Sequence, residues 1–546
     1  MQYSWLSFVT QIAVLLLLLG VLHKPLGLYL HAALEGRKDS RVERVLFRLS
    51  GVSSSREQGW LGYTRSVLAF SVVSVLVIYL LLRLQGLWNP GGPGAVDPWT
   101  SMNTAISFVT NTNWQVYVPE TTLGFGAQMA LLAVQNFLSA AVGICVAVAL
   151  MRGLTRFGTS HLGNFWADLV RITLRVLLPL AVAGALVLVV AGVVQNFWSG
   201  SVTNPFTGAS QTLPDGPVAS QEAIKLLGTN GGGYFNANSA HPFENPNSFT
   251  SLFEVFLILL IPSALPYVFG RMAGDARQGF TVLGVMGGLW ALTTTAMAWA
   301  LAAFPGAGEG LEQRFGPAAS GVFASATTLT STGAVNAAHD SLPPLAGGLA
   351  MVNMMLGEVA PGGVGSGLYG MLVIAVVTVF LAGLMVGRTP EYLGKKVQAR
   401  HMTIAALYLL VVPVLVLVLS GIAVLVPGIL SQAPAQGPHQ FSEVLYAFTS
   451  GANNNGSAFG GITSSGPALA TMLGIAMWLG RFVGIVLVLA LAGAFVTQPR
   501  VPASAGTLPT HGGLFAVMLS TVAVLLTALN YLPALALGPL AEGTLS

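Results

Sequence analysis

The sequence predicts an all-α polytopic membrane protein with ten transmembrane helices, most of them grouped into four degenerate copies of one span-loop-span unit. Three observations carry that expectation. Of the 546 residues, 54% are hydrophobic and only 8% charged. Apolar runs of about 20 residues or more, the length a helix needs to cross the hydrocarbon core, recur along the chain. Between them stand four glycine- and asparagine-rich segments at near-regular intervals, the mark of an internal repeat.

The expected spans cover 5–28, 62–87, 126–151, 172–197, 250–271, 280–303, 345–385, 403–427, 467–496 and 511–537. The first, "WLSFVTQIAVLLLLLGVL", lacks a basic leading region and a small-residue cleavage site, and so reads as a retained span rather than a signal peptide. Basic residues gather on one side. Arg37, Lys38, Arg41, Arg44 and Arg48 follow span one, and Arg152, Arg156, Arg171 and Arg175 separate spans three and four. Arg271 and Arg277 lie between spans five and six, and Arg388, Lys395, Lys396 and Arg400 between seven and eight, whereas the other side carries little beyond Lys225 and Arg314. The positive-inside rule makes the basic loops cytoplasmic and both termini extracytoplasmic. The excess of 23 basic over 19 acidic residues is therefore read as topology, with a lipid bilayer as the partner and no nucleic acid. One cysteine, Cys145, excludes an internal disulfide or a CxxC site.

The connections after spans two, four, six and eight contain "FVTNTNWQ" (108–115), "LLGTNGGGYF" (226–235), "LTSTGAVN" (329–336) and "FTSGANNNG" (448–456), each preceded by about ten residues able to form a short helix. Aligning Asn113, Gly231, Gly333 and Gly451 gives intervals of 118, 102 and 118 residues, with a hydroxyl or amide residue two positions earlier in each: Asn111, Thr229, Ser331 and Thr449. Non-helical backbone at membrane depth persists only where it is buried in protein or lines a water-filled cavity. Four such loops about one axis make that cavity. Glycine brings carbonyl oxygens close to it, and rings of carbonyls replace the hydration shell of a monovalent cation. The short helices direct their negative carboxyl ends to the same axis. No carboxylate ring occurs in the loop cores, which argues against Ca2+ and for K+.

These motifs, with "GTNGGGYFNANSAHPFENP", "GGVGSGLYGM" (362–371) and "GRTPEYLGKK" (387–396), closely resemble the potassium-binding subunit family of the bacterial Kdp-type K+-transporting P-type ATPase, itself similar to the Trk, Ktr and HKT transporters. The resemblance runs from about residue 5 to 537. It implies four membrane-pore-membrane repeats around a central K+ selectivity filter, with one extra helix at each end. The corresponding division is 1–60 (first helix and cytoplasmic loop), 61–155, 156–275, 276–400 and 401–500 (the repeats) and 501–546 (last helix). Carried over by position, the filter comprises Asn111, Thr112 and Asn113; Thr229, Asn230 and Gly231; Ser331, Thr332 and Gly333; and Thr449, Ser450 and Gly451. The first copy departs from the rest in having Asn113 where the others have glycine.

The resemblance further implies K+ uptake from outside and its transfer to a P-type ATPase catalytic subunit, alongside small accessory subunits, in the bacterial inner membrane. ATP is then used by that partner, since the chain has no Gly-x4-Gly-Lys-Ser/Thr loop and no Asp-Lys-Thr-Gly motif. Neither a catalytic site of its own nor a covalently bound cofactor is expected. Two further places read as gating elements. Span seven is interrupted at Pro361, Gly362, Gly363, Gly365 and Gly367, beside Glu358, so its middle unwinds below the third loop. Arg481 stands inside span nine, where a charge is costly and a functional role is the default reading, against snorkelling or an internal salt bridge. His241 and His339, the latter beside Asp340, read as structural rather than as a metal or catalytic pair, since two such residues in outer loops have no further ligands. The rival functions are a passive K+ channel or an ion-coupled permease of the Trk/Ktr type, and, more remotely, an intramembrane enzyme or scaffold.

Overall fold

The computed structural model describes residues 3–545 apart from 37, 90, 91, 199, 214, 305–308, 386, 463–465 and 503–506. Arg37, one of the basic residues used above for topology, lies outside the described residues. In chain order the principal helices are α1 (Trp5–Glu35), α2 (Arg41–Ser50), α3 (Trp60–Arg83), α4 (Pro98–Val109), α5 (Phe125–Thr155), α6 (Phe165–Val190), α7 (Val218–Leu227), α8 (Ser248–Met272) and α9 (Ala276–Ala303). There follow α10 (Gly316–Leu329), α11 (Pro344–Met355), α12 (Ser366–Met385), α13 (Ala399–Ala423), α14 (Pro438–Asn453), α15 (Pro467–Val496), α16 (Gly513–Leu537) and α17 (Pro539–Leu545). Strand is confined, among the described residues, to three two-stranded antiparallel pieces, the longest pairing Gly200–Thr203 with Ser210–Leu213.

Ten helices among the described residues are long and apolar enough to span a membrane. Four times, a span is followed by a short helix and a second span: α3-α4-α5, α6-α7-α8, α9-α10-α12 and α13-α14-α15. Burial separates the two spans of each unit. The apolar windows of α5, α8, α12 and α15 are between 72% and 89% buried, those of α3, α6, α9 and α13 between 17% and 50%. A helix that is apolar all round and covered by protein is a core element, while one left open to the outside offers its apolar surface to lipid. The second span of each unit therefore forms an inner ring and the first an outer ring. α1 and α16 lie outside both, with 11% and 17% of their windows buried, in agreement with one extra helix at each end.

Boundaries differ from expectation in several places; α1, for one, runs on to Glu35 rather than ending at 28. Span four begins at Phe165 rather than 172 and ends at Val190, because Asn164 accepts from the Ala167 amide and caps it seven residues early. Span seven is not continuous: α11 stops at Met355 and α12 starts at Ser366, with an irregular segment between, as Pro361 and the glycines after it led one to expect.

The short helices are set by their ends. α4 and α14 begin with Pro98 and Pro438, and α10 has Pro317 in its first turn, where the missing N–H costs nothing and the fixed φ suits a helix. Asp97 also caps α4, accepting from the Trp99 and Thr100 amides at 3.0 Å. Burial pushes the Asp97 carboxyl up, but hydrogen bonds from Thr100 and Trp99 outweigh it and hold the group below the usual carboxylate range.

At the basic end of the bundle, buried Arg152 makes a two-pronged contact with Asp168 (2.6 and 3.1 Å) and reaches Glu35 at 3.1 Å. This clamps α1, α5 and α6 together. Lys395 donates to the Gly153 and Phe495 carbonyls at 2.8 Å, placing a cation at the carboxyl ends of α5 and α15, where the helix dipoles favour it.

Candidate functional site

The carboxyl ends of α4, α7, α10 and α14 converge, and the loops after them close a ring. The contacts run in chain order. Asn111 Nδ2 donates to the Thr229 carbonyl at 2.7 Å, joining the first loop to the second. A β-carbon on Gly231 would collide with the Thr332 carbonyl oxygen, one on Gly333 with that of Asn455, and one on Gly456 with that of Thr112. The absence of side chains at these three glycines is what lets each loop approach the next. Ser331 Oγ donates to the Asn454 carbonyl at 3.0 Å, and Asn454 Nδ2 to Thr112 Oγ1 at 3.0 Å.

Three of the four expected triplets stand in this ring: Asn111, Thr112 and Asn113; Thr229, Asn230 and Gly231; Ser331, Thr332 and Gly333. The fourth does not. Thr449, Ser450 and Gly451 lie inside α14, which continues to Asn453. The loop positions of the fourth copy are Asn454, Asn455 and Gly456. Two independent features fix this register. The amides of Thr112, Asn230 and Asn455 each donate to the carbonyl five residues back, on Ser107, Lys225 and Ser450. Asn111, Thr229 and Asn454 all have positive φ (65°, 45° and 64°). Asparagine tolerates that left-handed geometry and ends a helix readily, so the run Asn453-Asn454-Asn455 was the signal in the sequence. Gly451 instead faces α15, where its nearest neighbour beyond the helix is Leu473.

Asn113, Gly231, Gly333 and Gly456 line one cavity of about 840 Å3 at the wide end of the ring. One step deeper are Thr112, Asn230, Thr332 and Asn455, whose backbone carbonyls receive none of the hydrogen bonds found among the described residues. By contrast the Thr229, Gly231 and Asn454 carbonyls each accept one from a side chain. The ring thus carries a tier of four uncommitted carbonyl oxygens.

Residues that sequence reasoning missed hold this ring in shape. Asn136 and Ser139 project from α5: Asn113 Nδ2 donates to Asn136 Oδ1 at 2.6 Å, and Ser139 Oγ to Asn111 Oδ1 at 2.7 Å. Lys225, counted above among outer-loop basic residues, is instead fully buried on α7. Its Nζ contacts Glu222 at 2.7 Å and Glu244 at 3.0 Å and donates to Asn238 Oδ1 at 3.0 Å. The Asn238 amide in turn donates to the Gly231 carbonyl.

The segment between α11 and α12 lies against the narrow end. Gly362 N donates to the Leu329 carbonyl and Val364 N to Thr229 Oγ1 at 2.9 Å. A β-carbon on Gly362 would strike the Glu358 carbonyl, one on Gly363 the Ser331 side chain, and one on Gly365 the Gly143 carbonyl of α5. These glycines allow the segment to wedge directly beneath the second and third loops. Glu358, also buried, accepts from Asn455 Nδ2 at 2.8 Å. Glu358, Asn454 and Arg481 line a second cavity of about 110 Å3 at this end. Arg481 is 5% exposed, so it does not snorkel to the membrane surface. His241 stacks on Phe235, and His339 Nδ1 pairs with the Tyr446 hydroxyl at 2.7 Å.

Residues 13–544 match the protein family described as Potassium-transporting ATPase A subunit. The chain is similar to proteins called "Potassium-transporting ATPase potassium-binding subunit" in several bacteria. That of Clavibacter michiganensis subsp. michiganensis is 55% identical over 555 aligned positions, covering 99% of this chain and 100% of the relative. Those of Mycobacterium avium and Streptomyces coelicolor are each 55% identical, covering 97% and 98% of this chain and 98% and 99% of the relatives. Among solved structures, the potassium transporter TrkH from Vibrio parahaemolyticus shares the fold, with a TM-score of 0.55 at 15% identity, over 90% of this chain and 100% of that one.

Proposed function

The chain belongs to the Potassium-transporting ATPase A subunit family, and from that premise we propose that it is the K+-binding and translocating subunit of an ATP-driven, high-affinity potassium uptake complex. The observation that carries the reading is the ring itself, four loops with one tier of free carbonyls between a wide cavity and a narrow one. Neutral carbonyl dipoles gathered around one axis substitute for water around a monovalent cation, and the four helix ends behind them add negative potential. In this reading the filter is Asn111–Asn113, Thr229–Gly231, Ser331–Gly333 and Asn454–Gly456, with K+ as the transported ion.

The wide cavity faces outward and both termini are extracytoplasmic, a sidedness supported by the arginines and lysines gathered at the opposite end of the bundle. The membrane is the bacterial inner membrane. The division into four repeats flanked by single helices follows the recurrence of outer span, short helix and inner span. Below the filter, the glycine-held segment and the Glu358–Arg481 cavity act as the gate that denies K+ a direct exit and turns it toward a P-type ATPase catalytic subunit, which hydrolyses ATP. Small accessory subunits complete the assembly.

The test is transport by the assembled complex with Gly231→Asp. A carboxylate in the second loop is expected to shift K+ against Rb+ and Na+ preference, and an unchanged ratio would remove the filter assignment. Reconstituting the chain alone tests the rival reading, because robust passive K+ flux would favour a channel or permease.

A further inference from the structure

Beyond the third loop of the ring, two elements bring nitrogen and oxygen ligands together and a third supports them. Asp340, from the loop after the third filter segment, and His439 and Glu443, from the first turns of α14, each offer one ligand atom, all within 4.8 Å of one another. His439 Nε2 lies 2.8 Å from Asp340 Oδ1. Its other nitrogen, Nδ1, lies 2.9 Å from Glu542 Oε1 on α17.

That arrangement has a recognisable chemistry. A histidine that ligates a metal through one nitrogen nearly always gives its other N–H to a carboxylate or carbonyl, which fixes the ring and raises its basicity. Glu542 occupies that supporting position, leaving Nε2 facing Asp340 and Glu443.

Glu443 supplies the second, independent sign. The residue is only 1% exposed, and its Oε2 has no hydrogen-bond partner among the described residues. A buried carboxylate oxygen left unsatisfied is costly unless a cation or proton meets it. Glycine at 461 leaves the space open: a β-carbon there would run into Glu443 Oε1 and stand 3.0 Å from Asp340 Oδ2. The His439 and Asp340 side chains remain 25% and 28% exposed, so an ion has access from outside.

We propose that Asp340, His439 and Glu443 form a binding site for a divalent transition metal of the Zn2+ class, with Glu542 as the group that orients His439. One imidazole nitrogen with two carboxylate oxygens suits Zn2+ and leaves a position for water. Binding replaces the proton between Nε2 and Asp340, which is released to solvent. The ion ties the third loop to α14, and through the Glu542–His439 hydrogen bond it also secures α17. The site communicates with the filter through bonded neighbours: His339, next to Asp340, pairs with Tyr446, whose hydroxyl lies 2.8 Å from Ser457 Oγ, and Ser457 bonds the Asn455 side chain.

The purified complex, stripped with chelator, is titrated with ZnCl2 against a chromogenic competitor. The wild type is expected to bind one more zinc than His439→Gln or Asp340→Asn, and Glu542→Gln to bind that ion about 10-fold to 100-fold more weakly. Equal stoichiometry and affinity in wild type and variants would overturn the proposal. Should the variants fail to assemble, crystals or grids of the wild-type complex soaked in zinc decide: zinc density among the three side chains supports the site, and none overturns it.

Discussion

The Asn111 side-chain amide donates to the Thr229 carbonyl at 2.7 Å, so the first loop of the ring holds the second at its base. Asn111 is also clasped by Ser139 through its Oδ1, which leaves it one orientation. Replacing it by leucine strands the buried Thr229 carbonyl, at a cost of about 1–3 kcal/mol, while the Ser139 hydroxyl keeps Asn230 Oδ1 at 3.2 Å as an acceptor. The apparent K+ affinity of the assembled complex, read from K+-stimulated ATP hydrolysis, is expected to fall about 10-fold or more. An unaltered K+ dependence would dissociate this contact from ion binding.

Register in the fourth copy is tested by two glycines. Gly456 has φ +96° and no space for a β-carbon beside Thr112, whereas Gly451 is helical and a β-carbon on it would meet the Leu473 side chain at 3.4 Å, an ordinary contact. Gly456→Ala is expected to abolish high-affinity K+ uptake. Gly451→Ala should leave it close to wild type, with helix propensity favouring alanine by about 1 kcal/mol. The reverse order, measured as K+-limited growth, would restore Thr449–Gly451 as the filter segment.

Lys225 contacts both Glu222 and Glu244 in full burial. Removing one partner of such a cluster costs about 3–5 kcal/mol. Lys225→Met should therefore lower the thermal stability of the complex, while Asn238→Leu, which leaves the ion pairs intact, should weaken K+ binding with a smaller stability loss. Identical profiles for the two variants would show that Asn238 has no separate role at the Gly231 carbonyl.

The packing of the segment beneath the ring depends on Gly365, whose φ is +88° and whose missing side chain accommodates the Gly143 carbonyl. In the proposed gate, Gly365→Ala displaces the segment and Arg481→Gln removes the charge from the lower cavity. Both variants are expected to pass K+ in vesicles without ATP. Tight vesicles in both cases would remove the gating role.

Asp97 gives a pH dependence of known sign. Its carboxyl is held below the ordinary range in the folded chain, so its stabilising effect is complete above the unfolded carboxylate pKa and is lost as pH falls through the lowered folded value. Asp97→Ala should cost about 1 kcal/mol in capping and flatten the acid limb of a thermal-stability profile against pH. A profile that keeps its acid limb would assign that limb to other carboxylates.

Much of this organisation was legible in the residues alone. Apolar length marked out the ten spans, and Pro361-Gly362-Gly363 announced the break in the seventh, because those residues cannot hold a regular helix. The first three loops could be read because a helix end, a hydroxyl or amide, and a glycine or asparagine follow each other in the same order. The fourth misled because Thr449-Ser450-Gly451 imitates that order inside a helix that runs on for two more residues. Asn136 and Ser139 were invisible within a span read as apolar. Lys225 looked like a surface charge because a pair with Glu222, three residues earlier, is equally at home on an exposed helix face, and Glu244, its second partner, comes from a loop 19 residues on that no local pattern links to it.

The four loops come from one polypeptide, and they differ. In a homotetramer, any substitution near the axis arrives in a fourfold dose, so a single arginine beneath the pore would become four charges around a narrow water column. Here Arg481 and Glu358 each occur once, on one side only. A single chain lets each quarter specialise, which is what the proposed sideways exit of K+ requires.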